Sequence, residues 1–131
     1  MKSSNKNIIF SSFLTAVLSK EKGFNEPTIY FVNINKPNII KKIGAIFKGD
    51  YNSKDDRYIS LPELSHLQKW FRDKHGINVI ANLDNTLNWI FTIQSMYPEA
   101  SYTGKYIISN NSYSTYEEAL DSGLKLTLTL I

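Results

Sequence analysis

The chain contains no cysteine among its 131 residues. That excludes a disulfide framework, a thiolate metal site and any cysteine nucleophile, and it fits a protein of a reducing cytoplasm. Histidine is almost as scarce, with only His66 and His75. Both fall on one expected helix, nine positions apart, and nine steps of about 100° set them on opposite sides, so they cannot share a metal. Glycine is too sparse for a phosphate-cradling loop: Gly44 and Gly49 lie five apart with no Lys-Ser/Thr pair after them. No run reaches the ~18 apolar residues of a membrane span. The opening MKSSNKNIIFSSFLTAVLSKEKGF has an early positive charge and an apolar run. Ser11, Ser12 and Thr15 interrupt that run and no small-residue cleavage site follows, so an amphipathic helix is expected rather than a secretory leader.

What is present suits a packed domain. Hydrophobic residues make up 42% and aromatic residues 13% of the chain, more than a disordered chain carries. A single domain of this length buries about two thirds of the surface its unfolded chain exposes. The net charge is +3, unevenly spread: +2 over residues 1–35, +3 over 36–57, +1 over 58–75 and −3 over 76–131. A basic segment of this kind suits an acidic partner or RNA.

Periodicity predicts the elements. Ile9, Phe10, Phe13, Leu14, Val17 and Leu18 recur at three and four residue spacings, which predicts a helical stripe stopped at Gly23, with Phe24 packing back. TIYFVNI reads as a strand. Residues 36–57 mix apolar residues with turn chemistry and read as a strand pair or a loop insertion. SLPELSHLQKWFRDKHG predicts a helix with Ser60 and Glu63 as a capping box, Pro62 in its first turn and Gly76 at its end. Strand-like runs at 77–81, 87–93 and 105–109 are separated by turn-rich loops, which predicts antiparallel pairing. In STYEEALDSGLKLTLTLI, Ser114 and Glu117 suggest a second capping box. Tyr116, Ala119, Leu120, Leu124, Leu128 and Ile131 then form a stripe. The alternation in LKLTLTLI favours strand, so the helix is expected to about Leu126 with its last turn frayed or extended.

The expected class is α+β: one domain, an antiparallel sheet covered by two or three helices, in the order α-β-insertion-α-β-β-β-α. Its expected core is Leu64, Leu67, Trp70, Phe71, Trp89, Phe91, Leu120 and Leu124. The same order of helix, three strands and helix occurs in double-stranded-RNA-binding domains, which hold phosphates with basic residues at the last helix. Here that position reads STYEEALD and is acidic, so only the topology is shared.

No catalytic constellation emerges. Glu117, Glu118 and Asp121 suit a helix N-terminus and His75 suits a helix C-terminus as a cation, and neither needs a catalytic reason. Asp55 and Asp56 lie in a turn with no metal-ligand spacing around them. The expectation is a protein that is not an enzyme and uses no cofactor or metal.

Four ordered blocks together carry a resemblance: EKGFNEP with the following IYF, then SLPELSHLQKWFRDKHGINVIAN, then NWIFTI, then SYSTYEEALDSGLKLTLTLI. They resemble a family of small phage and prophage proteins of Gram-negative bacteria. That family has a KGFxEP turn, a KWLRE-type helix and a closing SYEEALEAGL-type helix. The chain departs from the pattern in its LKLTLTLI ending and in a longer, more basic 36–57 segment. The resemblance implies context rather than chemistry. Small non-enzymatic proteins of mobile elements bind host or phage macromolecules, and inhibitors of bacterial defence, anti-CRISPR proteins among them, have this size.

The resulting expectation is a stoichiometric inhibitor of a host defence protein or ribonucleoprotein, such as an RNA-guided CRISPR effector, in the host cytoplasm and away from the membrane. The expected contacts are the basic residues Lys41, Lys42, Lys48, Lys54 and Arg57 with the exposed aromatics Tyr51, Tyr58 and Tyr102. The alternatives are an RNA- or DNA-binding accessory protein using the same segment, and a structural or packaging component of a phage particle.

Overall fold

The computed structural model describes residues 9–43, 49–54, 56–96 and 106–131. Their order is α1 (Phe13–Glu21), β1 (Tyr30–Asn33), β2 (Lys36–Lys42), α2 (Tyr51–Lys54), β3 (Tyr58–Leu61) and α3 (Leu64–Trp70). A π-helical turn (Phe71–His75) continues α3, and β4 (Ile77–Leu83), β5 (Trp89–Ser95), β6 (Ile107–Ile108) and α4 (Tyr116–Leu130) complete the chain. The α+β class and the antiparallel pairing stand as expected. The strands are shared between two three-stranded sheets, ordered β2-β1-β3 and β4-β5-β6. The chain accordingly divides into two compact units, one of Phe10–Glu63 and one built on Leu64–Ile131.

In the first unit, α1 begins where the Ser12 hydroxyl accepts the Thr15 N–H. It ends at Gly23, whose φ of +92° is a left-handed stop that a Cβ would strain. Phe24 then folds back and its N–H donates to the Ser19 carbonyl at 2.9 Å. The fully buried residues of α1 are Thr15, Ala16 and Ser19; of the expected stripe, Phe10, Phe13 and Val17 pack against the core, whereas Ile9 and Leu14 are exposed. The helix begins only at Phe13, so Ile9 and Phe10 are not in helical phase with the rest. Small residues then let the helix sit close to the sheet, and Ala16 packs with Val32, Ile59 and Leu61. The Ser19 hydroxyl donates to the Thr15 carbonyl at 2.8 Å, which satisfies its burial.

The strand β3 replaces the expected helix start. Ser60 is not an N-cap: it pairs with Phe31 in the sheet and is fully buried. Its hydroxyl accepts the Tyr51 N–H at 3.1 Å and its own N–H donates to Asn52 Oδ1 at 2.9 Å, so it ties α2 to the sheet. Pro62 likewise lies before the helix, which begins at Leu64, whose N–H is taken by the Ile9 carbonyl.

In the second unit, α4 covers one face of β4 and β5. Ala119, Leu120, Gly123, Leu124, Thr127 and Leu128 are its buried face, and Ile77, Val79, Phe91 and Ile93 lie buried in the strands. The N-cap is Thr115, one residue after the expected Ser114. Its hydroxyl accepts the Glu118 N–H at 3.1 Å, and the box partner moves from Glu117 to Glu118. The helix runs through the alternating LTLTL to Leu130. Thr127 and Thr129 tolerate this because their hydroxyls donate to the carbonyls of Gly123 and Leu126. Each leucine sealed here contributes roughly 1.5–3 kcal/mol. The expected core stands except at Trp89, which is half-buried and meets Tyr116 edge-on at 5.4 Å.

Candidate interaction site

The β1–β2 hairpin carries the concentration of unusual surface chemistry. It turns at Asn33, whose side-chain oxygen accepts the Asn35 N–H at 2.9 Å, a turn that asparagine makes with its own backbone. Tyr30 and Phe31 pair with Lys42 and Lys41, whereas Asn33 pairs with Lys36, so the register slips between Phe31 and Asn33. Extra β2 residues are accommodated there in a bulge. Pro37, within the bulged stretch, has no N–H to offer a ladder.

The hairpin leaves isoleucines in water. Ile34 is 45% exposed, Ile39 53% and Ile40 48%. Side chains of an extended strand alternate between faces, so adjacent isoleucines cannot both enter one core. Lys36, Lys41 and Lys42 are exposed around them, and no carboxylate occurs between Glu26 and Asp50. The result is exposed apolar side chains on both faces of an edge strand, within a positive field. No other described strand pairs with the outer side of β2.

The reverse face of this sheet holds an aromatic stack. Phe31 lies on Tyr51 with centroids 3.8 Å apart and planes 11° from parallel, and Tyr58 meets both rings edge-on. Tyr51 is therefore a correction to the expected contacts: at 5% exposure it is a core residue, buried because α2 lays it on Phe31. Tyr58 is half-buried, and the Arg57 guanidinium stands 5.6 Å from its ring. Lys41 and Lys42 lie on β2 beside the exposed isoleucines, with the Lys42 ammonium 5.9 Å from the Tyr30 ring. Lys48, the Lys54 side chain and Tyr102 lie outside the described residues. Lys41 and Lys42 thus directly follow the exposed Ile39 and Ile40 on β2, and Ile34 lies in the turn of the same hairpin. The run IIKK was the available signal for Ile39 and Ile40.

Elsewhere the titratable groups have local explanations. His75 packs against Trp70 at 4.7 Å and Phe71 at 5.9 Å. Burial there, with the Lys74 charge adding to it, pushes the imidazole below its ordinary value. That corrects its reading as a cation at a helix end. The Lys69 ammonium donates to Asp73 one helical turn on, which holds that carboxyl low. Asp84 is held low by the Thr86 hydroxyl and the backbone N–H groups of Asn88 and Thr86. Among the described residues no three His, Asp or Glu side chains gather as metal ligands, and no helix is long and apolar enough to cross a membrane.

Comparison of the chain with protein-family models, with curated proteins and with solved structures gave no match.

Proposed function

We propose that this chain is a non-enzymatic binding protein that acts stoichiometrically on a protein target through its β1–β2 hairpin. The observation that carries the reading is the pair Ile39 and Ile40, both about half exposed on an edge strand that also carries the exposed Lys36, Lys41 and Lys42. Exposed aliphatic residues gain free energy only by leaving water, and the lysines steer them to an acidic surface. The bulge and Pro37 break the outer edge, so the contact is made by side chains rather than by adding a strand.

The resemblance of the four sequence blocks to phage proteins makes a host defence protein the target class, with an RNA-guided nuclease the first to test. The chain would then work in the host cytoplasm. Nucleic-acid binding is the rival, and the basic hairpin favours it in part. Single-strand binders, however, offer open aromatic faces for stacking. Here Phe31 and Tyr51 already stack on each other.

The test is a titration of a purified RNA-guided nuclease with the chain. A stoichiometric inhibitor gives a break at a fixed molar ratio, and Ile39→Asp with Ile40→Asp abolishes it. Binding to RNA that weakens steeply between two salt concentrations, with cleavage untouched, would replace the protein-target reading by the nucleic-acid one.

A further inference from the structure

A second apolar surface lies at the far end of the β4–β5 hairpin, and its charge is opposite to that of the first. Leu83 is 49% exposed and pairs across the strands with Trp89, which meets the exposed Tyr116 edge-on. The turn between them carries Leu87, 76% exposed and held at a φ of +64°. Asp84 lies in that turn, and Glu117 and Glu118 follow Tyr116 in the first turn of α4, so the charge of this end is negative. Neither 76–96 nor 106–124 contains a lysine or arginine. Apolar side chains within a negative field are the complement of Ile34, Ile39 and Ile40 within a positive one.

We infer that the partner of this surface is a second copy of the chain, the basic β1–β2 hairpin of one molecule seating on the Leu83, Leu87, Trp89 and Tyr116 surface of another. Complementary potentials choose the register of such a contact and the apolar side chains supply its affinity. Because the two surfaces differ, the contact is heterologous: a pair keeps one free surface of each kind, one on each molecule, and assembly continues beyond a dimer into rings or chains. Self-assembly occludes the hairpin, so a target and a second copy compete for it. The inference needs only the chain itself and stands whether or not the proposed target is right.

The experiment measures weight-average mass by analytical ultracentrifugation over rising concentration of the full chain in low salt. The mass should climb past that of a dimer at high concentration and fall back as salt shortens the range of the charges. Lys41→Glu with Lys42→Glu, and separately Glu117→Lys with Glu118→Lys, should each stay monomeric alone. Mixed in equal amounts they should associate again, because every cross-pairing is then complementary. Leu87→Gly guards against misfolding, since glycine suits the left-handed backbone there while removing the anchor. It should remain folded and associate at least several-fold more weakly. A chain that stays monomeric at millimolar concentration, charge-reversed variants that still associate alone, or a mixture that stays monomeric would each overturn the inference.

Discussion

A Cβ placed on Gly123 would lie 2.9 Å from the Cβ of Phe91 and 3.0 Å from a methyl group of Val79. The closeness of α4 to its sheet therefore depends on the absence of a side chain at one helical position. Gly123→Ala tests it. Alanine in a helix interior gains about 1 kcal/mol over glycine, while overpacking a filled core costs about 1–3 kcal/mol. The contacting atoms are a ring carbon, the Cβ that anchors it and a branched methyl, none of them the end of a flexible chain, so the cost prevails. Thermal unfolding should show a Tm lower by roughly 5 °C, the opposite of the outcome at an open helical glycine.

The β4–β5 turn should behave in the reverse sense. Leu87 is the one described non-glycine residue with positive φ, a region where an L-residue pays about 1–2 kcal/mol. Its side chain is largely in water and returns little of that. Leu87→Gly should raise the urea midpoint, by the equivalent of about 0.5–1 kcal/mol once the extra chain entropy of glycine is deducted. The surrounding turn is unaffected, because Asp84 still accepts from Thr86 and Asn88.

Acid should weaken the second unit in two separate windows. The His75 imidazole titrates below its unfolded value of 6.5, so between the folded and unfolded values the unfolded chain binds the extra proton. Stability from this group is complete above pH 6.5 and is lost as pH falls through the folded value. Asp84 is also depressed, from 3.8. Its contribution is complete above that pH and disappears only as pH falls through its lower folded value. Urea midpoints measured down the pH scale should therefore decline first below neutrality, and His75→Gln should flatten that first decline alone.

The sequence was most legible where a pattern has a single physical outcome. Glycine at Gly23 and Gly76 marks a left-handed stop because no other residue takes that backbone without strain, and both helices end there. Leu120, Leu124 and Leu128 of α4 and Leu64 and Leu67 of α3 repeat at helical spacing and are buried. Legibility failed where one residue type serves two roles. Ser60 before Glu63 looks like a cap, yet the same hydroxyl accepts a buried N–H from α2 just as well, and only the pairing of β3 with β1 decides between them. The cap of α4 moved by one residue because Ser114 and Thr115 are chemically near-equivalent there. At the candidate site, tyrosines were expected on the surface for their abundance at interfaces. A ring has two faces, however, and a nearby Phe31 was enough to bury Tyr51.

That burial separates fold from contact in the first unit, and two variants should show it. Tyr51→Ala removes the ring stacked on Phe31 and leaves a cavity against the sheet, at a cost of about 3–5 kcal/mol. Ile39→Asp with Ile40→Asp alters side chains that are about half in water, where substitutions stay within about 0.5 kcal/mol each. Binding measured below both melting transitions should give the opposite order: the isoleucine variant loses the target while its Tm stays within a few degrees of the parent. The tyrosine variant, kept cool enough to remain folded, retains it. A folded Tyr51→Ala protein that had lost the target, with the double aspartate variant still bound, would move the contact from the hairpin to the aromatic face of the same sheet.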